Sequence, residues 1–147
     1  MWMSLFVSLM LVFTSPITDQ PNQRPGAPEQ IELFDTDQER IVQRLESTPQ
    51  YQQEVRKILD SVTGRVQELN PSLRKAMILK IPVKPPQRLR FAQANLDTEI
   101  IRMFIVMPKP GNPRKPYLLL HNRNNETILM EFNRPLTSLM NLLHNRR

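Results

Sequence analysis

Between residues 76 and 132, apolar side chains recur at every second position, and this spacing constrains the fold more than any other feature of the chain. Met77, Leu79, Ile81 and Val83 fall on one face, with Ile78, Lys80 and Pro82 between them. Leu89 and Phe91 alternate with Arg88 and Arg90. Ile101, Met103, Ile105 and Met107 share a face opposite Ile100, Arg102, Phe104 and Val106. Ile128, Met130 and Phe132 follow the same rule. A period of two puts alternate side chains on opposite faces of a pleated strand. Residues 117–121 are apolar without alternation, but Asn122-Arg123-Asn124-Asn125 follows them, and Asn tolerates the positive φ of tight turns. Residues 117–121 and 126–132 therefore read as a hairpin. The stretch as a whole reads as an antiparallel meander of four or five strands. Residues 89–93 are counted as a separate strand after a turn at 84–87.

Helical spacing flanks the meander. Thr36 with Glu39 three residues on matches a capping box, which predicts a first helix to about Ser47 carrying Ile41, Val42 and Leu45. Thr48-Pro49 reads as a second N-cap with proline at the first helical position. Tyr51, Val55, Ile58, Leu59, Val62, Val66 and Leu69 then make an apolar stripe at steps of three and four. On this reading Ile58→Ala is costly and Gln52→Ala is not. Gly64 is either a weak spot in that helix or a point of close packing on the sheet. After the meander, Leu136, Leu139, Met140 and Leu143 define one face of a short helix opened by Pro135. The fold class is α+β: two N-terminal helices, the meander and a C-terminal helix, packed as a helix layer on a sheet.

Residues 1–17 carry no charged side chain and include Trp2, Leu5, Phe6, Val7, Leu9, Met10, Leu11, Val12 and Phe13. At about 1.5 Å per residue they span roughly 25 Å, a little short of a bilayer core. They read as a secretory signal or a retained membrane anchor, although no Lys or Arg precedes the run and no small-residue cleavage motif follows it. Residues 18–30 are polar, hold three prolines and read as a disordered tether. Residues 31–147 form the single folded domain on this reading, and the chain is extracytoplasmic, either secreted or anchored.

Charge is unevenly spread along the chain. Residues 1–70 hold 6 basic and 10 acidic side chains, net −4; residues 71–147 hold 14 and 4, net +10. Such asymmetry points to a polyanion, or to the acidic half of the same chain. Fourteen prolines concentrate this charge, because KIPVKPPQR (80–88) and PKPGNPRKP (108–116) cannot pair beyond their prolines and hold their cations outward. With residues 89–93 a separate strand, both loops fall at one end of the sheet. Lys84, Arg88, Lys109, Arg114 and Lys115 then form one cationic rim. The function implied is a binding or assembly module that meets an acidic protein, an anionic membrane or another polyanion. A small hydrolase-like enzyme with a dispersed site is the alternative. Nucleic acid is a third class, disfavoured because aromatics make up only 6% of the chain and strand readers stack bases on aromatic platforms.

Chemistry-bearing motifs are otherwise sparse. Without cysteine there is neither a disulfide framework nor thiol chemistry. No His-Glu-x-x-His, Gly-x-Ser-x-Gly or phosphate-loop motif occurs, so no catalytic, metal or cofactor residue is assigned. His121 and His144 read as structural, the second as a favourable charge at a helix C-terminus. Asn125-Glu126-Thr127 is a glycosylation sequon in the turn of the expected hairpin.

Overall fold

The computed structural model describes residues 29–68 and 71–145. The apolar run 1–17 and nearly all of the tether lie outside the described residues. Strands β1 (Ile31–Asp35) and β2 (Arg40–Leu45) come first, then helix α1 (Pro49–Asp60) and β3 (Val62–Arg65). The long strands β4 (Ala76–Phe91) and β5 (Leu96–Pro108) follow, then β6 (Tyr117–Asn122), β7 (Thr127–Phe132) and helix α2 (Thr137–His144). Together they form an α+β fold with one seven-stranded sheet ordered β2-β1-β4-β5-β6-β7-β3, every pairing antiparallel. The C-terminal helix and the β6–β7 hairpin stand where the sequence places them; the N-terminal half differs.

The expected first helix is a β-hairpin. Thr36 does not cap a helix: its hydroxyl donates to the Ala76 carbonyl at 3.0 Å and accepts the Ala76 N–H at 3.1 Å. Asp35 accepts the Asp37 and Gln38 N–H groups at 2.9 and 3.2 Å, which closes a side-chain-supported turn, and Glu39 takes a positive φ of 53°. The Thr-x-x-Glu spacing is thus satisfied by a turn between strands. Ile31, Leu33 and Leu45 then reach the core at a period of two.

The second helix is also shorter than its stripe. Ser61 folds back on it, with N–H and hydroxyl both donating to the Ile58 carbonyl. The β-branched pair Val62-Thr63 then joins the sheet beside β7. Val62 therefore opens a strand and does not extend the helix, Val66 follows that strand with its N–H on the Leu129 carbonyl, and Leu69 is outside the described residues. A Cβ added at Gly64 would meet nothing, so close packing does not explain that glycine; it sits at the register shift of β3.

The meander's first two expected strands are one. β4 runs through the proline loop, and four of its residues (83–86) stand opposite the single Ile101 of β5. Pro85 and Pro86 have no N–H to give the ladder, so β5 skips them. Gln52 of α1 takes up the slack: its side chain donates to the Pro82 carbonyl at 2.8 Å and accepts the Lys84 N–H at 3.2 Å. The same irregularity brings Ile100, rather than Ile101, into line with Met103 and Ile105 in the core.

Both helices pack on one face of the sheet, where Val55, Ile58, Leu139 and Leu143 meet Leu79, Ile81, Met103, Ile105, Leu118 and Met130. On the opposite face, a smaller cluster of Ala76, Val106 and Tyr117 is covered by Val66. Residues 66–68 follow β3 at the edge of the sheet, and residues 71–75 lead into β4, between β1 and β5. These flanking residues contribute to the candidate site.

Candidate functional site

The end of the sheet where β4 starts and β5 stops gathers three segments: the 36–39 turn, the connection ending at Lys75, and the 109–116 loop. Their backbones are tied together. Lys109 N–H donates to the Lys75 carbonyl at 2.8 Å, Asn112 N–H to the Lys109 carbonyl at 3.0 Å, and Arg114 N–H to the Asn112 side-chain oxygen at 3.1 Å. Gly111 supplies a φ of 92°, a conformation that L side chains resist. The loop's prolines keep it out of the ladder, so its charged side chains stay at the surface.

Two of these cations are already matched. Lys109 donates to Asp35 at 2.7 Å and to Asp37 at 2.9 Å. Those bonds, more than anything else near them, hold both carboxyls below their ordinary range and push the ammonium up. Arg114 lies over the Tyr117 ring, 4.8 Å from its centroid, and donates to Glu68 at 2.9 Å. Tyr117 is buried and its hydroxyl has no hydrogen-bond partner among the described residues. Burial, chiefly, raises the hydroxyl's pKa.

Arg74, Lys75 and Lys115 are exposed, and among the described residues their side chains have no acidic partner. A shallow cleft of about 400 Å³ runs between the connection and the loop, lined by Ser72, Arg74, Lys75, Asn112 and Arg114, with Glu68 at its side. Arg74 and Lys75 are not among the five cations that the sequence singles out. Their signal was the adjacent pair of cations just before a strand that begins at the same end as the 109–116 loop.

The single rim of five cations does not form. Lys109, Arg114 and Lys115 are at this end, but Lys84 lies in the β4 bulge and Arg88 beyond it. Arg88 pairs with Glu99, nine residues from Pro108 along β5, roughly 30 Å away at about 3.3 Å per residue. Its guanidinium is held by Asp97 at 2.6 Å. The cause is the fusion of residues 76–91 into one strand, which removes the turn that would have reversed the chain.

Much of the charge asymmetry is absorbed inside the fold. Lys80 pairs with Glu32, Arg102 with Glu29, Lys109 with Asp35 and Asp37, Arg114 with Glu68 and Arg134 with Glu54. Each of these joins a second-half cation to a first-half carboxylate. Among the described second-half cations, Arg74, Lys75, Lys84 and Lys115 have no carboxylate, and three of the four are at this end.

No family model, curated protein or solved structure matches this chain. The site's own chemistry therefore carries the functional argument. Among the described residues no cluster of His, Asp or Glu could hold a metal ion, and no helix is long and apolar enough to cross a membrane. His121 is half-buried with its ring 5.0 Å from that of Phe104, and burial, with Arg102 beside it, lowers its pKa. The His144 Nδ1 donates to the Met140 carbonyl one turn back, which keeps it at the end of α2.

The Lys109 pairs make the end of the sheet pH-dependent. Asp35 and Asp37 titrate lower in the fold than unfolded, so their contribution is present above the unfolded pKa and lost as pH falls through the folded one. Lys109 titrates higher in the fold, so its contribution is present below its unfolded pKa and lost only in strong base. Urea unfolding of the wild type and Lys109→Met should therefore differ most between about pH 5 and pH 9 and converge towards about pH 2. A difference that persists undiminished in acid would show that the ion pairs are not its source.

Proposed function

We propose that this protein is a non-enzymatic extracytoplasmic binding or assembly module. The apolar N-terminal run sends it to or across a membrane, and it is then secreted or remains anchored. The cationic end of the sheet meets an acidic protein or an anionic membrane surface. One observation carries this reading: Arg74 and Lys75 line the cleft and Lys115 is exposed in the adjoining loop, all three without an acidic partner among the described residues, while carboxylates satisfy most of the other described cations in the same half of the chain. Lys109 and Arg114 belong to the surface as positioned charges; Lys84 and Arg88 lie away from it.

Binding of the full chain to polyglutamate and to vesicles with and without phosphatidylserine, at low and high salt, tests the proposal. Exposed charges are screened beyond about 8–10 Å at physiological salt, so the affinity should fall as salt rises. Each cation near an anionic surface contributes about 1 kcal/mol, so Arg74→Ala/Lys75→Ala/Lys115→Ala should weaken binding roughly a hundredfold. Equal binding by the triple variant, or binding indifferent to salt, would reject this end as the contact surface.

A further inference from the structure

The Arg114–Glu68 pair is built differently from the other surface ion pairs. The guanidinium is fixed in place: the Tyr117 ring lies under it, and the Arg114 backbone N–H is held by Asn112. Only one terminal nitrogen, NH1, donates to Glu68; Nε and the second terminal nitrogen donate to nothing among the described residues. An arginine has five N–H donors in a rigid fork, and its strongest use is bidentate. Here the fork is oriented but mostly unused. Glu68 is the loose member of the pair, with 61% of its side chain exposed against 25% for Arg114. The hydroxyl of the Tyr117 ring under this guanidinium is buried with no hydrogen-bond partner among the described residues. Hydrogen-bonding capacity at this corner therefore exceeds what the described residues supply.

We propose that Arg114 is the anchor for an acidic side chain of a partner protein, and that Glu68 is an internal stand-in that this side chain displaces. The inference rests on the cationic-end reading above and narrows its partner to an acidic peptide segment. What favours a peptide is the group already there: the fork holds a glutamate carboxylate carried on an irregular segment of chain. An incoming Asp or Glu makes the same bond, and its neighbouring acidic residues meet Arg74, Lys75 and Lys115. Glu68 itself cannot supply those further charges. Displacement costs little, because an exposed pair of this kind is worth about 1 kcal/mol or less.

The test is binding of the full chain to a polyglutamate peptide at low salt, with three variants. Glu68→Gln removes the competing charge and should bind roughly two- to fivefold tighter, the range an exposed pair allows. Glu46→Gln makes the same change of net charge at the opposite end of β2, where Glu46 is exposed, and should change affinity far less. Arg114→Lys keeps the charge but loses the fork, and should bind more weakly than wild type. If Glu68→Gln binds no tighter than Glu46→Gln, the stand-in is refuted while the cationic-end reading survives. If phosphatidylserine vesicles bind the wild type and polyglutamate does not, the acidic peptide is refuted in favour of a membrane surface. If neither probe binds with salt sensitivity, both readings fall.

Discussion

Arg134→Met is expected to destabilise the fold by about 3–5 kcal/mol, the cost of leaving a buried charge without its partner. Glu54 lies on α1 among Val55, Ile58 and the sheet, with only 8% of its side chain exposed. Arg134, just after β7, meets it with both arms of its fork, Nε at 3.2 Å and the second terminal nitrogen at 3.1 Å. The backbone around Arg134 is tied to the same helix, since the Asn133 and Arg134 N–H groups donate to the Ser61 carbonyl and hydroxyl. Methionine keeps the volume and removes every donor. The carboxylate must then stay desolvated and unpaired, or α1 must shift to wet it. Replacing both members, as Glu54→Leu/Arg134→Met, removes the charge along with its partner, and such swaps are often neutral or stabilising. Urea midpoints of the two single variants and the double variant measure the coupling. An Arg134→Met midpoint close to wild type would mean that the pair is solvated and carries no such load.

The same pair shows where the sequence was legible and where it was not. Period two across residues 103–107 and 126–132, and the i, i+3, i+4, i+7 face of α2, are local patterns, and local patterns were readable; at 100–101 the register shift of β5 broke the pattern. Three other features were decided by contacts distant in sequence. Thr36 has the spacing of a capping box, but its hydroxyl is committed to Ala76, forty residues on. Val62 continues the helical stripe by spacing, yet a place beside β7 captures it, and β-branched residues accept that exchange readily; Val66 follows with its N–H on the Leu129 carbonyl of β7. Residues 84–87 have turn chemistry, but Gln52 supplies the hydrogen bonds that keep β4 running. The candidate site followed suit. Arg114 and Lys115 were visible as charges in a proline-rich loop. Arg74 and Lys75 joined them only because β4 starts at the end of the sheet where β5 stops, so the residues that lead into β4 lie beside the 109–116 loop. Glu54 and Arg134, eighty residues apart, gave no local signal.

Gln52 reverses an expectation in a way that can be measured beside the core. Ile58 is fully buried at the centre of the helix–sheet interface, and truncating such a residue to alanine commonly costs about 2–5 kcal/mol. The sequence-based stripe pairs that with a silent Gln52→Ala, since Gln52 lies off the apolar face. In the structure the Gln52 side chain spans the bulge of β4. Its amide donates to the Pro82 carbonyl and the Ser47 hydroxyl, and its oxygen accepts the Lys84 N–H. Alanine leaves the Pro82 carbonyl and the Lys84 N–H to find water or nothing. At a net 0.5–1.5 kcal/mol per hydrogen bond, the expected cost is about 1–2 kcal/mol. Gln53, the next residue, is exposed and its side chain makes none of these bonds, so Gln53→Ala should leave the denaturation midpoint where it is. The expected order of destabilisation is Ile58→Ala, then Gln52→Ala, then Gln53→Ala. If Gln52→Ala matches Gln53→Ala, the bulge holds its shape without the bridge, and the continuity of β4 through its prolines needs another cause. If Ile58→Ala matches either, the helix face assigned to the core is wrong.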